Sequence, residues 1–165
     1  MTRYIGIDPG MSGGIASLTP DTVEGAITTY NMPKTENDLW HLIDSMSPDS
    51  YDYDSAPKAI IEKVHSMPGQ GVASMFKFGM GYGQLRMALV SASISFETVT
   101  PRTWQKAFGI IPRAKTESKT DFKNRLKAKA QELFPKANMT LAVCDAVLIA
   151  EYCRRLHSGY FGGNK

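Results

Sequence analysis

The chain has 165 residues, 42% of them hydrophobic, and a formal net charge of +3. That length supports one domain with a real core, and the composition excludes a repeat array, a low-complexity chain and a disulfide scaffold. A charge this small does not by itself point to nucleic acid, and the two cysteines, Cys144 and Cys153, are too far apart for a CxxC motif and read as free, packed thiols of a reducing compartment.

Tyr4–Asp8 is a short apolar run ending in an acid before Pro9-Gly10, and it reads as a buried strand entering a tight turn. With no apolar leader and no segment long enough for a bilayer, the expectation is a cytosolic protein without a membrane partner. Residues 15–18 and 26–30 read as the next two strands, with turns at Gly13-Gly14 and Gly25. Residues 35–46 place Leu39, Leu42, Ile43 and Met46 on one helical face, closed by Pro48. After the polar stretch 47–57, residues 58–64 form a strand with Glu62 near its end. A long helical pattern covers 72–93, and 94–99 is a fifth strand. Thr100-Pro101 supplies an N-cap and a first helical residue for a short helix that carries Trp104 and ends near Gly109. A basic loop covers 110–116, a helix 117–134 ends at Pro135, and Thr140 can cap a last helix running to His157. The order β-β-β-α-β-α-β-α-α-α predicts an α/β fold. Its mixed five-stranded sheet has three antiparallel strands followed by two parallel ones, with helices on both faces. One domain spans 1–158, and 159–165 is a flexible tail.

Three acids stand out. Asp8 and Glu62 each end an apolar strand, and Asp145 lies in the apolar segment Leu141-Ala142-Val143-Cys144-Asp145-Ala146-Val147-Leu148, which reads as a buried helix. Each has a plain structural alternative: a turn cap at Pro9-Gly10 for Asp8, a salt bridge to Lys63 for Glu62, a helix-dipole contact for Asp145. A bare buried charge is expensive, and one metal site would serve all three. Carboxylate oxygens suit Mg²⁺, with Mn²⁺ as substitute. Two such ions, roughly 3.5–4 Å apart, can hold both the attacking water and the leaving oxygen of a phosphodiester. No Ser-His-Asp or Cys-His set is legible among His41, His65 and His157. Between Arg113 and Lys136 eight basic residues face three acids, a stretch able to meet a phosphate backbone or simply to form a solvated helix face.

The segments Ile5-Gly6-Ile7-Asp8-Pro9-Gly10, Ile60-Ile61-Glu62-Lys63-Val64 and Cys144-Asp145-Ala146 occur in the order found in RuvC-type Holliday junction resolvases, which the chain resembles over nearly its whole length. The stretch from Glu62 to Gly71 followed by Ser74-Met75-Phe76 looks like the phage-encoded members, and Thr100-Pro101-Arg102-Thr103-Trp104 and Ile149-Ala150-Glu151-Tyr152 add to the likeness. The resemblance implies a ribonuclease H-like fold and a crossover junction endodeoxyribonuclease. Asp8, Glu62 and Asp145 would bind two metal ions, and Lys119 would stand near the scissile phosphate. Phe76 would wedge into the junction centre, and Lys77, Arg113, Lys115, Lys119 and Lys123 would contact DNA. Core packing is the plain alternative for Phe76 and Phe78. The family's fourth acid, three or four residues before the helix Asp, is replaced here by Ala142 and Leu141. Gly79, Gly81 and Gly83 fall in the long helix that, by resemblance, forms a homodimer interface; a broken helix in a monomer is the alternative.

Other readings stay open. Gly6-Ile7-Asp8-Pro9-Gly10 is similar to the phosphate loop that opens actin-like and sugar-kinase folds, but no second such loop or domain is present. A junction-binding protein with weakened catalysis, or a related metal nuclease acting on flaps or RNA–DNA hybrids, would also fit these residues.

Overall fold

The computed structural model describes residues 2–20, 26–47, 55–64 and 71–160. The expected turn at Gly25, the stop at Pro48, the segment His65 to Gln70 and the tail 161–165 lie outside these residues. The strands β1 (Tyr4–Asp8), β2 (Gly14–Thr19), β3 (Ala26–Asn31), β4 (Lys58–Glu62) and β5 (Ser95–Val99) form one sheet in the order β3-β2-β1-β4-β5. β1, β2 and β3 pair antiparallel, whereas β4 pairs parallel to β1 and β5 parallel to β4. This is the mixed sheet expected from the element order.

Alternation along the strands divides the core between the two faces. Ile5, Ile7, Ile15, Ala59 and Ile61 pack with Leu39 and Ile43 of α1 (Glu36–Asp44) and Leu85 and Leu89 of α2 (Val72–Ser91). On the other face Tyr4, Ala16, Leu18 and Ile60 pack with Trp104 of α3 (Pro101–Ala107), Leu126 of α4 (Lys119–Leu133) and the buried side of α5 (Cys144–His157). Side-chain caps fix three helix starts: Thr35, Thr100 and Ser118 accept the backbone N–H of Asp38, Thr103 and Asp121. No described helix is long and apolar enough to cross a membrane.

α5 is the central helix, buried without a break from Cys144 to Glu151. It can lie so close because β1 has a glycine beneath it. A Cβ on Gly6 would stand 2.2 Å from both the Ala146 carbonyl oxygen and the Ala150 nitrogen. Of the two acids α5 buries, Glu151 is neutralised within its own helix, accepting hydrogen bonds at 2.7 Å from Arg154 and Arg155. Both cysteines are free and buried, as expected.

Two helix starts differ from the sequence reading. α5 begins at Cys144, not after a Thr140 cap; residues 141–143 are a turn. Ala142 and Val143 are pressed against the start of β2, where a Cβ on Gly14 would meet Val143 Cγ1 at 3.0 Å and the Ala142 carbonyl at 3.3 Å. Leu141 and Ala142 therefore precede the helix instead of forming its first turn. α4 begins at Lys119 because Ser118 caps it, and Glu117 instead accepts from Arg125 at 2.7 and 2.9 Å. α2 is continuous through Gly79, Gly81 and Gly83, and among the described residues nothing lies within 4 Å of a Cβ built on any of them. At the C-terminus, Tyr160 is tied back: its N–H donates to the Arg155 carbonyl at 3.1 Å, and its ring faces the Arg155 guanidinium.

Candidate active site

Because β4 runs parallel to β1, Asp8 and Glu62 end neighbouring strands at the same edge of the sheet. α5 crosses β1 at Gly6 and brings Asp145, its second residue, to that edge. The common partner is Lys123 of α4, whose Nζ lies 2.6 Å from Asp145 Oδ2 and 3.7 Å from Asp8 Oδ2. The other oxygen of Asp145 accepts from the Cys144 thiol at 3.3 Å, and Asp8 Oδ1 faces the Gly10 N–H at 3.4 Å, a long version of the expected turn cap. Glu62 does not pair with Lys63. Its Oε2 accepts from Nε1 of Trp104 at 2.8 Å, and that indole is 0% exposed.

The resemblance places Lys119 near the scissile phosphate and both Lys119 and Lys123 on DNA. The ammonium on the acids is that of Lys123. Lys119 is the first residue of α4, four positions earlier and so one turn away on the same face, and it is exposed. Lys115 is exposed as well, and Arg113 donates to the Glu117 carbonyl at 2.5 Å. The basic stretch is not a uniform stripe, since Arg125 is bound to Glu117 and Lys129 to Glu132. On α2, Phe76 is 68% exposed, which removes core packing as its explanation. Phe78 is half-buried and, with Lys77, lines a cleft that also includes Pro9, Met11 and Lys34. Leu141 is 40% exposed, and its carbonyl accepts at 3.5 Å from the same Cys144 thiol that touches Asp145.

Trp104, Cys144 and Gly6 are the site components that the sequence reading did not assign. A signal for Trp104 existed. The short helix starts directly after β5, whose Val99 pairs with Glu62, so its first turn necessarily lies near that acid.

The electrostatics follow from three neighbouring carboxylates and one ammonium, which pairs with two of them. Burial, together with the charge of Asp145, raises the pKa of Asp8 against the opposing pull of Lys123. Burial pushes Glu62 up to about 7, opposed by the Trp104 hydrogen bond and reinforced by Asp8 and Asp145. Burial alone would lower Lys123, but the charge and hydrogen bond of Asp145, with Asp8, hold it above the ordinary lysine value. Burial, with Asp145 beside it, raises the Cys144 thiol to about 12, so it stays protonated and donates. With every acid ionised the cluster lacks two positive charges. Oxygen donors with that deficit fit a hard divalent cation. Among the described residues no three His, Cys, Asp or Glu side chains converge closely enough to hold a metal as they stand. The place between Asp8 and Asp145 is taken by the Lys123 ammonium.

These shifts predict how stability varies with pH. Glu62 titrates at 4.5 when unfolded and at about 7 in the fold, so between those values the folded chain binds more protons. Stability therefore falls as pH rises through that window, and Asp8 acts in the same direction. Glu151, which Arg154 and Arg155 hold low against its burial, titrates below it. Thermal melts of EDTA-treated protein should show this loss, and Glu62→Gln should remove most of it. His157, which burial and Lys58 hold below its ordinary value, acts the other way in this window, so the Glu62 share is the native profile minus that of Glu62→Gln. A difference that does not fall between pH 5 and about 7 would contradict the burial of Glu62.

No protein-family model matches the chain, and no curated protein matches it. Solved structures do. The RuvC structure from Thermus thermophilus aligns over 98% of this chain and 97% of its own, with a TM-score of 0.57 at 14% identity. T. thermophilus RuvC in complex with a Holliday junction substrate aligns over 100% of this chain and 99% of its own, with a TM-score of 0.60 at 14% identity. The chain therefore has the ribonuclease H-like fold of RuvC. At this identity the likeness carries the fold and not the activity.

Proposed function

We propose that the protein is a structure-specific endodeoxyribonuclease that resolves four-way DNA junctions by paired, metal-dependent hydrolysis, acting as a homodimer. The observation that carries this reading is the gathering of Asp8, Glu62 and Asp145 at one edge of the sheet, with the Lys123 ammonium against the two aspartates, in the fold of RuvC. Asp8, Glu62 and Asp145 would hold two Mg²⁺ ions, or Mn²⁺ in their place, which would supply a water nucleophile and charge stabilisation at the phosphodiester. The chain's own residues prepare the site. Trp104 orients Glu62, the Cys144 thiol fixes one oxygen of Asp145, and Gly6 lets α5 reach the strand ends. Lys115, Lys119 and Arg113 supply positive charge for the phosphate backbone, and exposed Phe76 offers a ring for an unpaired base. The test is a panel of labelled four-way junction, flap, duplex and RNA–DNA hybrid, incubated with Mg²⁺ or EDTA. Preferential, EDTA-sensitive cutting of the junction supports the reading. Junction binding without cutting favours the weakened binder, to which the missing fourth acid points, and preferential flap or hybrid cutting favours the related nuclease.

The dimer draws on α2. Val72, Phe76, Met80, Met87 and Val90 are all exposed and, at 3.6 residues per turn, share one face with Gly79 and Gly83, opposite buried Leu85 and Leu89. Met87→Glu should convert a dimer at micromolar concentration into a monomer without lowering the melting temperature of the monomer. Analytical ultracentrifugation checks this, and a native chain that sediments as a monomer would exclude the dimer.

The missing acid gives a gain-of-function test. Leu141 is exposed and its backbone touches the thiol beside Asp145, so Leu141→Asp should cost little stability. Ala142 is partly buried against the core, and Ala142→Asp should cost more. Leu141→Asp should raise cleavage at low Mg²⁺ by about tenfold or more, the size of effect expected when a metal-site contact is regained. Fast native cleavage at low Mg²⁺ that Leu141→Asp slows would show that three acids suffice.

A further inference from the structure

The position of Lys123 relative to the two acids it bridges leads beyond the proposed hydrolysis, though it rests on the metal reading of that proposal. Asp8 comes from β1 and Asp145 from α5, and each turns one oxygen away, to the Gly10 N–H and the Cys144 thiol respectively. Each turns its second oxygen to the same ammonium, 3.7 and 2.6 Å away. A cation held between two carboxylates occupies the one place that a metal shared by them would need. The carboxylates are fixed, with side chains 16% and 10% exposed, whereas the lysine side chain is 36% exposed and has a route to solvent. Two cations cannot share the place, because repulsion at contact distance in a partly buried site is large.

We infer that Lys123 is a resident counter-ion that competes with the shared divalent ion. In the metal-free protein its ammonium holds Asp8 and Asp145 together against their mutual repulsion. A divalent ion enters between them only as the lysine swings outward along the exposed face of α4, toward Lys119. The apparent metal affinity is thus set by the difference between two cations competing for the same oxygens, and it is weaker than the carboxylates alone would give. Lysine suits this role because its charge is a compact point on a flexible stem, able to leave without disturbing α4.

The test is a titration of the full chain with Mn²⁺, followed by electron paramagnetic resonance of the free ion, at pH 8, above the range in which Glu62 titrates. Lys123→Met and Lys123→Gln, checked for folding by circular dichroism, are compared with Lys123→Arg, Asp145→Asn and the native chain. The competition predicts Mn²⁺ binding about tenfold or more tighter in Lys123→Met or Lys123→Gln, little change in Lys123→Arg, and loss in Asp145→Asn. If Lys123→Met does not fold, Lys123→Gln carries the comparison. Unchanged or weaker binding in the neutral variants, with native binding that Asp145→Asn abolishes, overturns the competition and leaves the metal reading standing. No Mn²⁺ binding by the native chain or by any variant overturns both.

Discussion

Asp8→Asn, Glu62→Gln and Asp145→Asn should each lower junction cleavage by roughly a thousandfold or more, the several kcal/mol of charge stabilisation that a lost metal ligand removes. Each keeps the shape of the side chain and removes one charge. The variants should differ in stability. Asp145→Asn leaves the Lys123 ammonium with only the 3.7 Å contact to Asp8, so a partly buried cation loses its better partner and the fold weakens. Glu62→Gln removes a carboxylate whose burial opposes ionisation, and above about pH 7 the fold should gain stability. Junction affinity should change little in all three if, as proposed, it rests on phosphate contacts from groups such as Lys115 and Lys119. Single-turnover cleavage and fluorescence anisotropy separate the two effects. Native-like cleavage by any one variant would remove that acid from the site, and equal loss of binding and cleavage would mean the substitution had damaged the fold.

Gly6→Ala should be among the most damaging single-methyl changes at the described glycines. The added carbon would stand 2.2 Å from the Ala146 carbonyl oxygen and the Ala150 nitrogen and 2.8 Å from Ala150 Cα. All three are backbone atoms of the central helix, so no rotamer change relieves the clash and α5 as a whole must lift from β1. Overpacking costs about 1–3 kcal/mol when side chains can adjust; with backbone on both sides the loss should exceed about 3 kcal/mol, a large part of the roughly 5–15 kcal/mol that stabilises a domain. Urea unfolding measures it. Cleavage should fall further than the folded fraction does, since Asp145 rides on the displaced helix while Asp8 and Glu62 stay on the sheet. Gly81→Ala is the control. Nothing among the described residues lies within 4 Å of its Cβ, and an alanine inside α2 should stabilise by about 0.5–1 kcal/mol. A mild effect of Gly6→Ala would mean that α5 does not sit directly on β1.

The sequence by itself determined the order of strands and helices to within about a turn at their ends, and it singled out three acids as candidates. Short runs bounded by turns marked β1 to β3, Thr35 and Thr100-Pro101 marked two helix starts, and a lone carboxylate in an apolar run marked Asp8, Glu62 and Asp145. These signals are local: a period, a cap or a charge in the wrong surroundings can be read over a few residues. Only the tertiary structure decided which lysine meets the acids, because that depends on the Ser118 cap and on how α4 docks against α5. It also decided that Trp104 holds Glu62, that residues 141–143 turn before the helix instead of joining it, and that Gly6 is where helix backbone meets strand backbone. Each of these joins elements far apart in the chain, and such a contact is set by how whole helices pack on the sheet, which no short stretch of sequence encodes.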